Sequence, residues 1–154
     1  MSCPEELQSL EALWRLKHGG RRLPRRSDFR PEELKPWLGN LAIVAVERQP
    51  ALRFRVMLSG TVLDDYRGYG ITGQYVDALR TGPVCSLPRF IQCVEEAAPV
   101  RFVHDNSFNS IVYSRMAKLL LPLSEDGMQV DRVLVGLYPL PANDAAPESL
   151  PLAG

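Results

Sequence analysis

The sequence predicts an α+β fold: a five-stranded antiparallel sheet with helices on one face and an N-terminal amphipathic helix. Three observations carry this. Apolar residues recur at helical spacing over residues 5–18 and again over 86–98. Strand-like runs occur as a pair within 41–59 and as three segments between 100 and 138, separated by turn residues. Strands joined by such short connections pair antiparallel, and a sheet covered by helices is a layered arrangement. At 154 residues the chain suits one domain, which at this size buries roughly 70% of its unfolded surface without a disulfide or metal.

The elements follow in order. Leu7, Leu10, Leu13, Trp14 and Lys17 fall at helical spacing, and Gly19-Gly20 supplies the stop. This stripe has two destinations open to it: the chain's own domain, or the same helix of a second chain, for which Leu7, Leu10 and Trp14 are the interface candidates. Residues 21–40 are extended and punctuated by Pro24, Pro31 and Pro36, with a short helical patch near Glu32–Trp37 and Pro31 at its first position. Leu41–Val46 reads as a buried strand. Arg53–Leu58 alternates with period two, placing Phe54, Val56 and Leu58 on one face, and Arg48–Ala51 is the turn between them. Glycine-punctuated residues 60–84 allow short turns at Thr61–Tyr66 and Gln74–Leu79. The second clear helix starts at a Ser86 cap, carries Leu87, Phe90, Ile91, Val94 and Ala98 on one stripe, and ends at Pro99. Val100–His104, Ile111–Leu123 and Val130–Tyr138 are the last three strands. The organisation expected is an N-terminal helix and connector over 1–40, a core over 41–138 and a flexible Pro-rich tail over 139–154.

Composition excludes more than it identifies. Lys plus Arg and Asp plus Glu each total 18, giving zero formal net charge, which argues against a strongly basic nucleic-acid binder or an acidic disordered chain. Cys3, Cys85 and Cys93 form no CxxC, and with two histidines no zinc site is legible. The longest apolar runs are strand-sized, below the ~18 residues of a membrane span. Glu5, Glu6 and Glu11 stand where a signal peptide wants basic then apolar residues. A cytoplasmic, reduced location and no membrane contact are therefore expected. Between positions 15 and 30, Arg15, Lys17, Arg21, Arg22, Arg25, Arg26 and Arg30 face Asp28 alone. Without aromatic interleaving or a recognition-helix pattern, this run reads first as solvated or intramolecular, next as contacting an acidic partner, and last as a nucleic-acid surface.

Enzymatic chemistry finds no footing. His104-Asp105 are neighbours whose side chains alternate across a strand, and no base–nucleophile pair is evident. Gly68-x-Gly70-x-x-Gly73 matches a dinucleotide-binding pattern by letters, but neither a buried strand before it nor a long helix after it supplies the context.

The segment Leu13-Trp14-Arg15-Leu16-Lys17-His18-Gly19-Gly20-Arg21-Arg22-Leu23-Pro24-Arg25-Arg26-Ser27-Asp28-Phe29-Arg30-Pro31 resembles a W-x-x-L-R-G-G-R-x-x-P-x-R-S-D-x-x-P signature found in a bacterial subgroup of PAS domains. Phe54-Arg55-Val56-Met57-Leu58-Ser59-Gly60-Thr61 is similar to the same group's F-R-x-R-L-x-G-T. Gly68–Gly73 is similar to its G-x-D-L-T-G, and Leu121-Pro122-Leu123 to its L-P-L. Met57 stands in place of the second arginine and Gly70 in place of the aspartate. The shared Arg26 and Asp28 suggest a structural pair. The resemblance implies a small sensory or regulatory module of bacterial signalling, acting by small-ligand binding and protein–protein contact. Its output would pass to another protein, as a homodimer or through a signalling partner.

A concavity between the sheet's inner face and the longer helix is the expected ligand site, for a small apolar or amphipathic molecule. Its candidate lining is Phe54, Val56, Leu58, Tyr66, Phe90, Val94, Phe102 and Tyr113, with Arg115 as polar anchor. These side chains could equally fill the space and leave a packed core, in which case the chain is a ligand-free dimerisation or interaction adapter. Cofactor identity stays open. Flavin-binding relatives carry an Asn-Cys-Arg-Phe-Leu-Gln motif that Cys93 does not match, and haem would want an axial ligand on the cavity-lining helix, whereas His104 lies on a strand.

Overall fold

The computed structural model describes residues 3–18, 22–67, 70–78, 87–105 and 115–140. The expected Gly19-Gly20 stop, the Ser86 cap, Tyr113 and the tail beyond residue 140 lie outside them, as do the side chains of Tyr66 and His104. Helix α1 spans Glu5–His18. A single 3₁₀ turn at Arg26–Asp28 precedes α2 (Pro31–Leu34), which tightens into a 3₁₀ segment at Lys35–Asn40. Strands β1 (Leu41–Glu47) and β2 (Arg53–Ser59) form the hairpin. Then come α3 (Thr61–Arg67), a 3₁₀ turn at Val76–Ala78, α4 (Leu87–Glu96), β3 (Val100–Asp105), β4 (Arg115–Leu123) and β5 (Arg132–Pro139). The five strands make one antiparallel sheet in the order β2-β1-β5-β4-β3. The hairpin therefore joins the three-stranded meander through β1 and β5, the first and last strands.

Register assigns each side chain to a face. Phe102 opposes Lys118, Val100 opposes Leu120, Val44 opposes Val133 and Val56, and Val46 opposes Phe54. Directly opposed residues share a face, so these line the inner face, toward α4. Leu41 and Leu119 both oppose Gly136 on the other side. There α1 lies, across from α4 and not with it, so the two long helices sandwich the sheet. Gly136 makes that contact possible: a Cβ there would sit 2.8 Å from Leu7 Cδ2 and 3.0 Å from Leu10 Cδ2.

Strand β2 breaks the expected alternation. Ile43 opposes Leu58 while Val44 opposes Val56, which leaves Met57 as an extra residue in a β-bulge. Leu58 is thus turned to the outer face, away from Phe54 and Val56, and is 51% exposed. The uninterrupted period-two reading of this strand is corrected at that point.

Helix α1 begins with Glu5 and Glu6 and ends with Arg15, Lys17 and His18, the charge order that suits the helix dipole. Its stripe of Leu7, Leu10, Glu11 and Trp14 is buried, and the Trp14 indole N–H donates to the Pro122 carbonyl at 2.9 Å. The Glu11 carboxylate, 6% exposed, accepts from Arg15 of its own helix at 2.6 Å and from Arg101 of β3 at 3.0 Å. One buried carboxylate thus ties helix to sheet. At the far end of α4, Ala97 adopts φ 51° and donates its N–H to the Cys93 carbonyl at 2.9 Å. That left-handed residue, followed by Pro99, terminates the helix.

Candidate functional site

The inner face gathers the aromatic residues the sequence singled out. Phe54 of β2 meets Phe90 of α4 with ring centroids 5.4 Å apart and planes tilted by 45°, a favourable offset geometry. Val56 and Phe102 are buried beside them, and Val94 is half-buried against the same core. Phe54, Val56, Phe90, Val94 and Phe102 therefore share the inner face. Leu58 does not, because of the bulge. Arg115 does not either: with Asp105 opposite it and no register slip up to Lys118, it alternates onto the side of Ala117 and Leu119.

The polar group on the inner face is Lys118, a residue the sequence reading passed over. It is only 4% exposed. Its ammonium lies 5.4 Å from the centroid of Phe90 and 5.8 Å from that of Phe102, within cation–π range of both rings. The Arg89 guanidinium covers Phe102 at 5.4 Å, so a second cation stands near the same ring. The available signal was a single lysine inside the apolar run Met116–Leu121 of a strand buried on both faces. Cys93, on α4, is fully buried, and burial pushes its thiol up to about 12. It is protonated at neutral pH and is a core residue, not a nucleophile.

Leu7, Leu10 and Trp14, the interface candidates, lie in the chain's own core, where Leu7 and Leu10 flank Gly136. The helix face that α1 leaves outside carries Leu16 instead. The basic segment is largely engaged within the chain. Arg15 pairs with Glu11, Lys17 with Glu33 at 2.7 Å, Arg22 with the Asp126 carbonyl at 2.9 Å and Arg25 with the Glu125 carbonyl at 3.2 Å. The Ser124 amide donates to Pro24 O at 2.9 Å, so the connector is laced to the β4–β5 turn. The expected Arg26–Asp28 pair is absent among the described residues. Asp28 accepts instead from the Arg25 amide at 2.9 Å, and Arg26 lines a cavity on the outer face.

Among the described residues no cluster of three or more His, Cys, Asp or Glu side chains could hold a metal ion, and no helix is long and apolar enough to cross a membrane.

Three comparisons bear on this arrangement. The PAS domain family model matches residues 3–138. The PAS domain of BvgS from Bordetella pertussis is similar in structure with a TM-score of 0.39 and 12% identity, over 88% of this chain and 87% of that one. No curated protein sequence matches the chain significantly.

Proposed function

The chain belongs to the PAS domain family, whose members are sensory and signalling modules, and from that premise we propose that it senses a small anionic or carbonyl-bearing ligand on the inner face, anchored by Lys118. The observation that carries this is the buried ammonium between Phe90 and Phe102. A lysine ammonium is a compact point charge, suited to an anionic or carbonyl group. A mostly apolar site with a few placed polar groups is also the usual make-up of a small-molecule pocket. Occupancy would favour one packing of α4 against the sheet, and a signalling partner or a second copy of the chain would read the shift.

Native mass spectrometry of the full chain purified from its host tests the reading. The expected result is a stoichiometric small molecule on the wild type that is missing from a folded Lys118→Met variant. Repeated absence from the wild type favours the second reading, a ligand-free interaction adapter. The close Phe54–Phe90 contact is the observation on that side, since rings packed on each other leave no room between them.

A further inference from the structure

The outer face holds a site of different character. A cavity of about 300 Å³ opens where the connector crosses the β1–β2 hairpin. Its floor and walls are Leu34, Leu38, Leu41, Ile43 and Leu58, and Arg26 stands among them. We propose that this groove binds a small amphipathic monocarboxylate, with the acyl or aryl body on the leucines and the carboxylate on the Arg26 guanidinium.

Four features support this. The volume falls at the lower end of the range for small-molecule pockets, roughly 300–1,000 Å³. The walls are built in place: the Gly60 amide donates to the Leu41 carbonyl at 2.8 Å, and a Cβ on Gly60 would overlap the Gly39 carbonyl oxygen. Loop and strand therefore approach too closely to collapse further, and a preformed site keeps the ordering cost of binding low. Arg26 is half-buried, and its guanidinium has no hydrogen bond or ion pair among the described residues. Asp28, the carboxylate nearest in sequence, accepts from the Arg25 amide instead. Finally, Leu38 and Leu58 remain 46% and 51% exposed, which is apolar surface that an occupant would cover. One guanidinium among leucines matches one negative charge on an apolar body. A polyanion would need more donors, and an uncharged hydrocarbon would leave the guanidinium unused.

Octanoate and octan-1-ol, titrated into the isotopically labelled full chain and followed by NMR, test the assignment. Octanoate is expected to bind at least about tenfold more tightly than octan-1-ol, the scale of a charge-assisted hydrogen bond. The perturbed amides should centre on Ile43, Leu58 and Thr61. Hexanoate should bind about fifteenfold more weakly than octanoate, near fourfold per methylene. Arg26→Gln should remove the preference for octanoate over octan-1-ol, and Leu58→Glu, a like charge at an exposed position, should weaken octanoate selectively. Equal affinity for acid and alcohol in the wild type overturns the proposal. So does a preference that survives Arg26→Gln, or a perturbation map centred on Phe54, Phe90 and Phe102.

Discussion

The two faces of the sheet bury cations and anions in opposite ways. On the outer face the buried charge is Glu11, and two guanidiniums from different elements meet it at 2.6 and 3.0 Å. On the inner face the buried charge-bearing group is Lys118, set between aromatic rings. A carboxylate held by two arginines is a structural tie, since its partners are supplied by the fold and fix the α1–β3 geometry. The Lys118 ammonium has the rings of Phe90 and Phe102 within cation–π range. On the function proposed above, Glu11 serves to hold the fold and Lys118 to sense.

Substitutions can break that division, beginning with the largest effect. Trp14→Ala removes a buried ring and its bond to Pro122, and should lower unfolding free energy by about 4 kcal/mol in urea denaturation. A loss under ~1 kcal/mol would mean α1 is not an integral layer. Glu11→Gln leaves both arginines without their carboxylate and should lose about 2 kcal/mol, with the α1 amides exchanging faster. Lys118→Met sharpens the comparison most, for it exchanges the ammonium for an apolar chain of similar length. Stability should hold within about 1 kcal/mol or rise, as when buried ionic groups give way to hydrophobic ones. A loss of 3 kcal/mol or more would make Lys118 a second structural tie and erase the contrast.

These positions differ in how readable they were. Helix α1, the hairpin, α4 and the last three strands follow from periodicity and turn residues, because alternation and 3.6-residue spacing register burial directly. The stripe on α1 revealed which side of the helix is buried but not what buries it. That choice depended on Gly136, more than a hundred residues away, leaving room for Leu7 and Leu10. Lys118 was hidden because a single polar residue in an apolar run does not disturb the pattern around it. Arg115 falls on the outer side because strand parity from Lys118, and not residue type, sets its face. Leu58 was misplaced by a bulge, for which Arg53–Ser59 carries no local mark such as glycine.

Smaller effects probe the margins of the two faces. Leu58→Ser, at an exposed site beyond the bulge, should change stability by no more than about 0.5 kcal/mol, whereas Val56→Ser, two residues earlier on the inner face, should destabilise by several times that. Similar losses at both positions would mean β2 does not change sides. The mildest perturbation is pH. Amide donors from Gln129 and Met128, with the Ser124 hydroxyl, hold the Asp126 carboxyl down at about 2 from an ordinary 3.8. Because the folded value is depressed, this turn's contribution is complete above about pH 4 and disappears as pH falls toward 2. Carboxyl NMR titration should show that midpoint, with the Met128 and Gln129 amides shifting in step. A midpoint near 4 would rule out the capped turn.

Met57 has a consequence for how this strand tolerates length changes. With no partner on β1, it acts as a phase shifter: residues before it contribute to one hydrophobic layer and residues after it to the other. Deleting that one residue would restore strict alternation and leave Leu58 opposite Ile43 and Ser59 opposite Ala42, each on its present face. Keeping the residue and closing the bulge would instead pair Met57 with Ile43 and put Leu58 opposite Ala42, turned inward and withdrawn from the outer groove. The strand thus absorbs a one-residue loss at this point without moving apolar surface between compartments. Pairing register along β2 is itself a determinant of where this domain keeps its open space.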